Sequence, residues 1–200
     1  MKNFRFHFWL PAVNEHESAW IKGLATRGFE VHVYVGGRVD EFRRNWGLGS
    51  VDYGPVEIID LNSTSLNLRE LGYLTANDIH FFTGIKEFYF NRRYYSAVSA
   101  EYSKAKIIYV SESKDFRGLK GSIRYLRDRF LDDAKVTRVD AVLAMGRLGV
   151  DWFRSIGYPA SKVFEFFYCS SDKPILKHQG SLSTVYRIAY VGQLINRKNV

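Results

Sequence analysis

Polar side chains that can bind hydroxyl groups follow several short apolar runs in this sequence. They are Asn14, Glu15 and His16 after the first run, Thr83 at the end of the fourth, and Glu112 after the fifth. A parallel sheet gathers the carboxyl ends of its strands at one edge, and ligands bind there. The sequence therefore predicts that these side chains share a ligand site at that edge.

Each group has a simpler interpretation beside the functional one. Residues 14–16 can cap a helix that begins near Ser18, and the sequence gives this equal weight. Glu112 can pair with the nearby cations Lys114 and Arg117, or cap a helix, and this is the commoner role of such a carboxylate.

The histidines of the apolar runs are predicted to be structural. By strand alternation His80 shares a face with Phe82, whereas Thr83 lies on the opposite face and can offer its hydroxyl to a ligand. His7 and His32 also fall inside predicted strands. With Cys169 as the one cysteine, a cysteine metal cluster is excluded, and no metal site is predicted.

Apolar runs with strand periodicity alternate with runs of helical periodicity along the chain. The predicted strands are 4–10, 29–35, 56–61, 78–82, 107–110, 141–145, 163–168 and 185–191. The predicted helices are 18–27, 85–104, 121–135 and 149–156. This alternation predicts an α/β fold, a Rossmann-like parallel sheet with helices on both faces. Neither a G-x-G-x-x-G turn nor a P-loop pattern occurs, which disfavours classical dinucleotide enzymes and phosphate-loop ATPases.

The composition is that of a globular protein, with 46% hydrophobic and 25% charged residues. No apolar run is long enough to span a membrane, and the first residues lack the pattern of a secretory signal. The single cysteine suits a reducing compartment, so a cytoplasmic protein is expected.

Half of the net charge of +8 falls in one predicted helix and its flanks, since residues 117–138 hold seven cations and three acidic residues. Helical spacing places Arg117, Lys120, Arg124 and Arg127 on one face. This face can dock on anionic lipid at the inner face of a membrane, or it can be a solvated basic helix. Nucleic acid is disfavoured because the stretch has few interleaved aromatic residues and no known motif.

A change of composition near the end indicates a domain boundary. Residues 170–183 are polar and lack periodicity, and a new strand follows at 185–191. We therefore predict one domain over 1–178, with a linker and the first strand of a second, truncated domain over 179–200.

In order and spacing, several segments resemble the amino-terminal half of a glycosyltransferase of the GT-B fold, of the retaining kind grouped in family 4. The segments are 24–31, 78–84, 110–112, 139–146, 157–159, 162–164 and 190–194, with Lys198 beyond them. Two positions on the predicted acceptor side depart from the family. The first loop lacks the glycine pair that the family often carries there, and Thr83 stands where many members have a histidine.

The resemblance implies a transferase that moves a sugar, with retention, from a nucleotide diphosphate sugar to a glycan or lipid-linked acceptor. In that family the amino-terminal domain holds the acceptor, so the five polar residues named first become acceptor-binding candidates. Lys198 matches the position of a lysine that binds the donor diphosphate. The companion arginine is replaced by Gln193, and Arg197 lies close enough to compensate. The donor is a substrate, and neither a cofactor nor a metal is implied.

The catalytic residues stay unassigned, because the family's paired glutamates would lie past residue 200. We expect these 200 residues alone to be nearly inactive, since most of the donor pocket would be missing. The competing hypothesis is a non-catalytic α/β module that binds a phosphorylated ligand or a partner. The missing glycine pair and Thr83 favour that alternative slightly.

Overall fold

The computed structural model describes residues 4–36, 51–61, 78–85, 87–115, 117–130 and 138–169. Within them, seven strands form one parallel sheet: β1 Arg5–Leu10, β2 Glu30–Val35, β3 Ile58–Asp60, β4 Ile79–Thr83, β5 Lys106–Ser111, β6 Ala141–Met145 and β7 Val163–Phe166. The helices are α1 Glu15–Thr26, α2 Tyr89–Glu101, α3 Gly118–Phe130 and α4 Gly146–Ser155, with a 3-10 turn at Ala160–Lys162. The predicted α/β fold class is confirmed. The strand predicted at 185–191 and the boundary at 178 lie outside the described residues.

The strand order is β3-β2-β1-β4-β5-β6-β7, so the chain builds outward from β1 in two opposite directions. Parallel connections are right-handed, and opposite directions of travel therefore place their helices on opposite faces of the sheet. Accordingly, α1 covers one face, and α2 and α4 pack on the other. The loops after β1 and β4 diverge, which makes the carboxyl edge between these strands the topological switch point.

Both faces of the sheet are buried, as expected for a parallel sheet between helical layers. On the α1 face, Phe8 stacks on Phe81 with ring centroids 4.7 Å apart, and Ile21 of α1 packs against them. On the other face, Trp9 and Phe82 have ring centroids 5.5 Å apart. The alternation of the strands predicted these faces correctly.

The helix boundaries differ from the predicted ones by a few residues. α1 begins at Glu15 instead of Ser18, because Asn14 caps it. α2 spans 89–101 instead of 85–104, since Gly84 adopts a φ of 67° and turns the chain away from β4 before the helix begins. α3 and α4 each begin three residues earlier than predicted, at Gly118 and Gly146. The predicted end of α3, 131–135, lies outside the described residues.

A buried polar network lies toward the amino ends of β1 and β4. The Arg5 guanidinium donates through Nε to Asp78 Oδ1 at 3.1 Å and through Nη2 to Oδ2 at 3.2 Å. His7 Nε2 lies 3.3 Å from Asp78 Oδ2, and its Nδ1 lies 3.2 Å from the hydroxyl of Tyr34. His80 stacks on His7, and both rings are fully buried. The prediction that His7 and His80 pack within the sheet is confirmed.

Two mid-helix glycines give a test of this packing. A Cβ on Gly149 would lie 3.1 Å from the carbonyl carbon of Ala144 in β6, and a strand backbone cannot give way. We expect Gly149→Ala to lower the free energy of unfolding by about 1 kcal/mol, because overpacking outweighs the gain in helix propensity.

Gly23→Ala in α1 is the matched control. Its Cβ would meet only the flexible end of Arg27, at 3.2 Å, so the helix propensity of alanine should raise the stability by up to about 1 kcal/mol. Urea unfolding of both variants measures whether each substitution raises or lowers the free energy of unfolding. A stabilising Gly149→Ala would mean that α4 is not held against β6 as described.

Candidate ligand site at the carboxyl edge of the sheet

A buried carboxylate, Glu17, lies at the switch point between β1 and β4. It belongs to the first turn of α1, and 1% of its surface is exposed. The hydroxyl of Thr83, at the end of β4, donates a hydrogen bond to Glu17 Oε1. The amide of Asn14, after β1, donates through Nδ2 to Glu17 Oε2 at 2.6 Å. Glu17 thus joins two of the predicted site residues.

Asn14 also caps α1. Its Oδ1 accepts a hydrogen bond from the backbone N–H of Glu17 at 3.0 Å, and its carbonyl accepts one from the hydroxyl of Tyr53 at 3.1 Å. The capping interpretation of Asn14 is therefore confirmed, with the helix starting earlier than predicted. The Asn14 side chain thus caps the helix through its oxygen and binds the Glu17 carboxylate through its NH₂ group. Glu15 is half-buried in the same helical turn.

Burial raises the pKa of Glu17, and the hydrogen bonds from Thr83 and Asn14 offset part of that rise. The physical cause is the cost of holding a charge away from water. Tyr53, at the other side of the loop, is also buried, which raises the pKa of its phenol to about 12 and keeps it protonated at neutral pH. Its hydroxyl therefore serves as a donor to the loop that carries Asn14.

Tyr168 joins the other two predicted residues at the rim of this edge. Its ring lies against the imidazole of His16, with centroids 4.7 Å apart. Its hydroxyl donates to Glu112 Oε1 at 2.6 Å. Burial raises the pKa of Tyr168, and the carboxylates of Glu112 and Glu17 raise it further.

The expected pairing of Glu112 with the nearby cations is wrong. Lys114 instead binds Asp128 at 2.8 Å, and Arg117 binds Asp115 at 3.1 Å. Because Lys114 turns toward α3, the carboxylate of Glu112 is left to Tyr168 at the exposed rim.

The sequence analysis assigned no individual role to Glu17, which ends the predicted loop segment 11–17, and it missed Tyr168 and Asn91. Asn91, in the first turn of α2, is fully buried and donates through Nδ2 to the carbonyl of Thr83. Its Oδ1 has no hydrogen-bond partner within the described ranges. A signal for Glu17 was present, because an asparagine cap followed three residues later by glutamate is typical of a helix start. Nothing local indicates Asn91 or Tyr168.

The predicted donor-phosphate residues Lys198, Arg197 and Gln193 lie outside the described residues. They stay predictions, and the structure neither brings them to this edge nor separates them from it.

A second group of possible ligand atoms does not fit a metal ion. His7, Asp78 and His80 offer atoms within 4.8 Å of one another. However, the indole N–H of Trp9 donates to His80 Nδ1 at 3.1 Å, so the proton of the neutral imidazole sits on Nε2 and blocks the other lone pair. Both oxygens of Asp78 already accept from Arg5. The group is a structural network.

Comparison with protein-family models, with curated proteins and with solved structures found no match. The Rossmann-like sheet is therefore established by its own geometry. The relation to GT-B glycosyltransferases stays a prediction from the sequence.

Proposed function

We propose that this chain supplies the acceptor-binding half of a retaining GT-B-type glycosyltransferase, which uses a nucleotide diphosphate sugar as donor. The observation that supports this most is the carboxylate chemistry of the switch point. Glu17 is buried between Asn14 and Thr83, and Glu112 stands at the rim beside Tyr168 and His16.

Carboxylates favour a ligand rich in hydroxyl groups over a phosphorylated one. The exposed carboxylate of Glu112 accepts hydrogen bonds, as sugar hydroxyls require, and its negative charge repels phosphate. The cation nearest in sequence, Lys114, is held by Asp128 at 2.8 Å. This edge therefore supports acceptor binding better than the alternative of a module for phosphorylated ligands.

Each residue has a distinct role in the proposal. Thr83 and Glu112 accept hydrogen bonds from acceptor hydroxyls, and Tyr168 with His16 forms an aromatic wall beside them. Glu17 is a positioning residue, because it is too buried to touch the acceptor and instead fixes Thr83 and the loop at Asn14. Precise placement of the acceptor lowers the barrier to transfer, because the entropic cost is met on binding.

The donor half of the proposal rests on the sequence resemblance. Lys198, assisted by Arg197 and with Gln193 at the neighbouring position, would hold the diphosphate as it leaves. A cation beside the departing oxygens stabilises the negative charge that develops in the transition state. We also propose a cytoplasmic location, in keeping with the single cysteine.

Replacing Glu17 with glutamine tests the acceptor site. A glutamine amide offers one oxygen, and its NH₂ group would face a second donor, so either Thr83 or Asn14 loses its acceptor. We expect the dissociation constant for the acceptor to rise about tenfold, because one hydrogen-bond partner of the acceptor is no longer held in place. The measurement is calorimetric titration of the chain with glycan and lipid-linked acceptors, which requires no turnover.

Glu57→Gln is the matched control, because Glu57 is exposed and precedes β3. It is expected to leave the dissociation constant unchanged, and circular dichroism checks that both variants fold. If the wild-type protein binds none of the glycan and lipid-linked acceptors but binds inorganic phosphate, the transferase proposal is wrong and the binding module is favoured. Unchanged acceptor binding by Glu17→Gln would contradict the role given to Glu17.

A further inference from the structure

Helix α3 presents a stripe of large apolar side chains to solvent. Leu119, Ile123, Leu126 and Phe130 are 79%, 58%, 53% and 75% exposed. Their spacing of four, three and four residues puts them on one face of the helix. A soluble helix normally buries such a face, so an outward stripe of this size marks an interaction surface.

The opposite side of α3 is the one that packs on the protein. Gly121 and Asp128 are the buried residues of the helix, and Tyr125 packs partly against the core. Asp128 accepts a hydrogen bond from Lys114 at 2.8 Å, and Arg127 Nε donates to its second oxygen at 2.9 Å. These contacts fix the rotation of α3, so the apolar stripe is held facing outward.

Cations flank the apolar stripe on α3. Lys120, Arg124 and Arg127 lie along one side of it, and Arg129 lies toward the other. All four are exposed. Among the described residues, the acidic groups nearby are Asp115, which pairs with Arg117, the buried Asp128 of α3 itself, and Asp151 of α4. Of the basic face predicted from the sequence, Lys120, Arg124 and Arg127 lie on α3, whereas Arg117 precedes the helix, and the structure adds the apolar stripe beside them.

A groove between α3 and α4 continues the apolar surface. Its volume is about 560 Å³, and its lining includes Leu126, Leu148 and Trp152. Leu148 is itself 63% exposed, so the apolar surface extends from one helix to the next. The groove is deep enough to receive part of an acyl chain beside the helix.

We propose that α3 docks this protein on the surface of an anionic phospholipid bilayer. The stripe from Leu119 to Phe130 is about 16 Å long, which suits a helix lying in the plane of the interface. None of the described helices is long and apolar enough to cross a bilayer. The apolar side chains enter the acyl region, and the flanking cations meet the lipid phosphates.

The charges favour lipid over a second copy of the chain. A symmetric dimer through this stripe would bring the same cations face to face, which is repulsive. An anionic membrane supplies the opposite charge along the whole length of the helix. Membrane docking is independent of the reaction at the carboxyl edge, so it can hold where the proposed function fails.

Flotation with vesicles tests this surface on the intact chain. The wild-type protein is expected to float with phosphatidylcholine vesicles that contain about one third phosphatidylglycerol, and not with phosphatidylcholine alone. Leu119→Ser with Ile123→Ser should lower the partition coefficient at least tenfold, and Lys120→Gln about fivefold. Tyr89→Ser with Lys104→Gln, an exposed aromatic and an exposed cation outside α3, should leave binding unchanged.

Thermal unfolding and gel filtration test whether another segment of the chain, or a second copy of it, covers the stripe instead of lipid. The Leu119→Ser, Ile123→Ser double variant is expected to keep the melting temperature and elution volume of the wild type. A marked fall in melting temperature would mean that another segment of the chain covers the stripe. A change from dimer to monomer would mean a second copy does. Either result, or equal vesicle binding by all variants, would overturn the proposal.

Discussion

Replacing Asp78 with asparagine is expected to lower the free energy of unfolding by about 3–5 kcal/mol, the largest effect of any single change considered for this chain. The carboxylate holds the Arg5 guanidinium through two hydrogen bonds and lies 3.3 Å from His7 Nε2. An asparagine of nearly the same volume removes the negative charge and puts an NH₂ group where an acceptor is needed. The Arg5 guanidinium then loses its two short hydrogen bonds to a carboxylate and keeps the longer contact of its Nη1 with Glu30 Oε1, at 3.9 Å.

The matched control is Asp52→Asn, because Asp52 also pairs with a cation, Lys22, but at the surface. Exposed ion pairs contribute about 0–1 kcal/mol, so this variant should unfold almost as the wild type does. Urea titration at neutral pH compares the two directly. Equal losses from both substitutions would show that the network around Asp78 is not buried and coupled as described.

The network illustrates what local patterns can predict. Strand alternation correctly placed His7 and His80 inside the sheet, because the period of a strand fixes which side chains share a face. Local patterns do not predict which side chains pair with each other, because Arg5 and Asp78 are 73 positions apart in the sequence. Their contact depends on β1 and β4 being neighbours, and strand order is a property of the whole fold.

The same limit applies to the candidate site. The rule that ligands bind at the carboxyl ends of strands correctly predicts that Asn14 and Thr83 lie at one edge. It does not predict that Glu17 joins them, because the hydrogen bond from Thr83 to Glu17 spans 66 positions. Tyr168 is 56 positions from Glu112 and follows the last strand of the described sheet. The roles of such residues can be recognised only once the fold brings the carboxyl ends of β1, β4, β5 and β7 to one edge of the sheet.

Helix α3 shows a different kind of limit. Its basic face was predictable from spacing alone, but the direction of its apolar stripe was not. Burial normally follows hydrophobicity, which would have turned Ile123 and Leu126 inward. Here the salt bridge of Lys114 with Asp128 and the small residue Gly121 set the rotation instead. A long-range ion pair thus decides which face of the helix meets solvent.

Acid should destabilise the protein through His7 and His80. Burial lowers the pKa of His80 to about 3 and also lowers the pKa of His7 from its ordinary value of 6.5. Above pH 6.5 both rings are neutral in the folded and unfolded states, and their stabilising contribution is complete. Below pH 6.5 these histidines bind protons in the unfolded chain, whereas their lowered pKa values keep them neutral to a lower pH in the native chain. The contribution of His80 is therefore lost progressively as the pH falls from 6.5 toward 3.

His80→Asn isolates the larger of the two effects. The asparagine oxygen can still accept the indole N–H of Trp9, but the side chain does not titrate. Between the pKa values of the unfolded and folded states, each pH unit changes the free energy of unfolding by about 1.4 kcal/mol for each titrating group. We therefore expect the wild type to lose about 2.5 kcal/mol more than the variant between pH 6 and pH 4. The comparison is of slopes, so a constant loss of packing in the variant does not affect it.

Other titrating groups act alike in the two proteins and cancel. Glu17 works in the opposite direction, because its raised pKa makes the native state gain a proton first and become more stable as the pH falls. Ser96→Ala, an exposed substitution that removes no titrating group, is the control, and its curve should run parallel to that of the wild type. Urea titrations at several pH values give the slopes. If His80→Asn also runs parallel to the wild type, then His80 is charged or solvated in the native sheet, and the account of the network built on Trp9 and Asp78 is wrong.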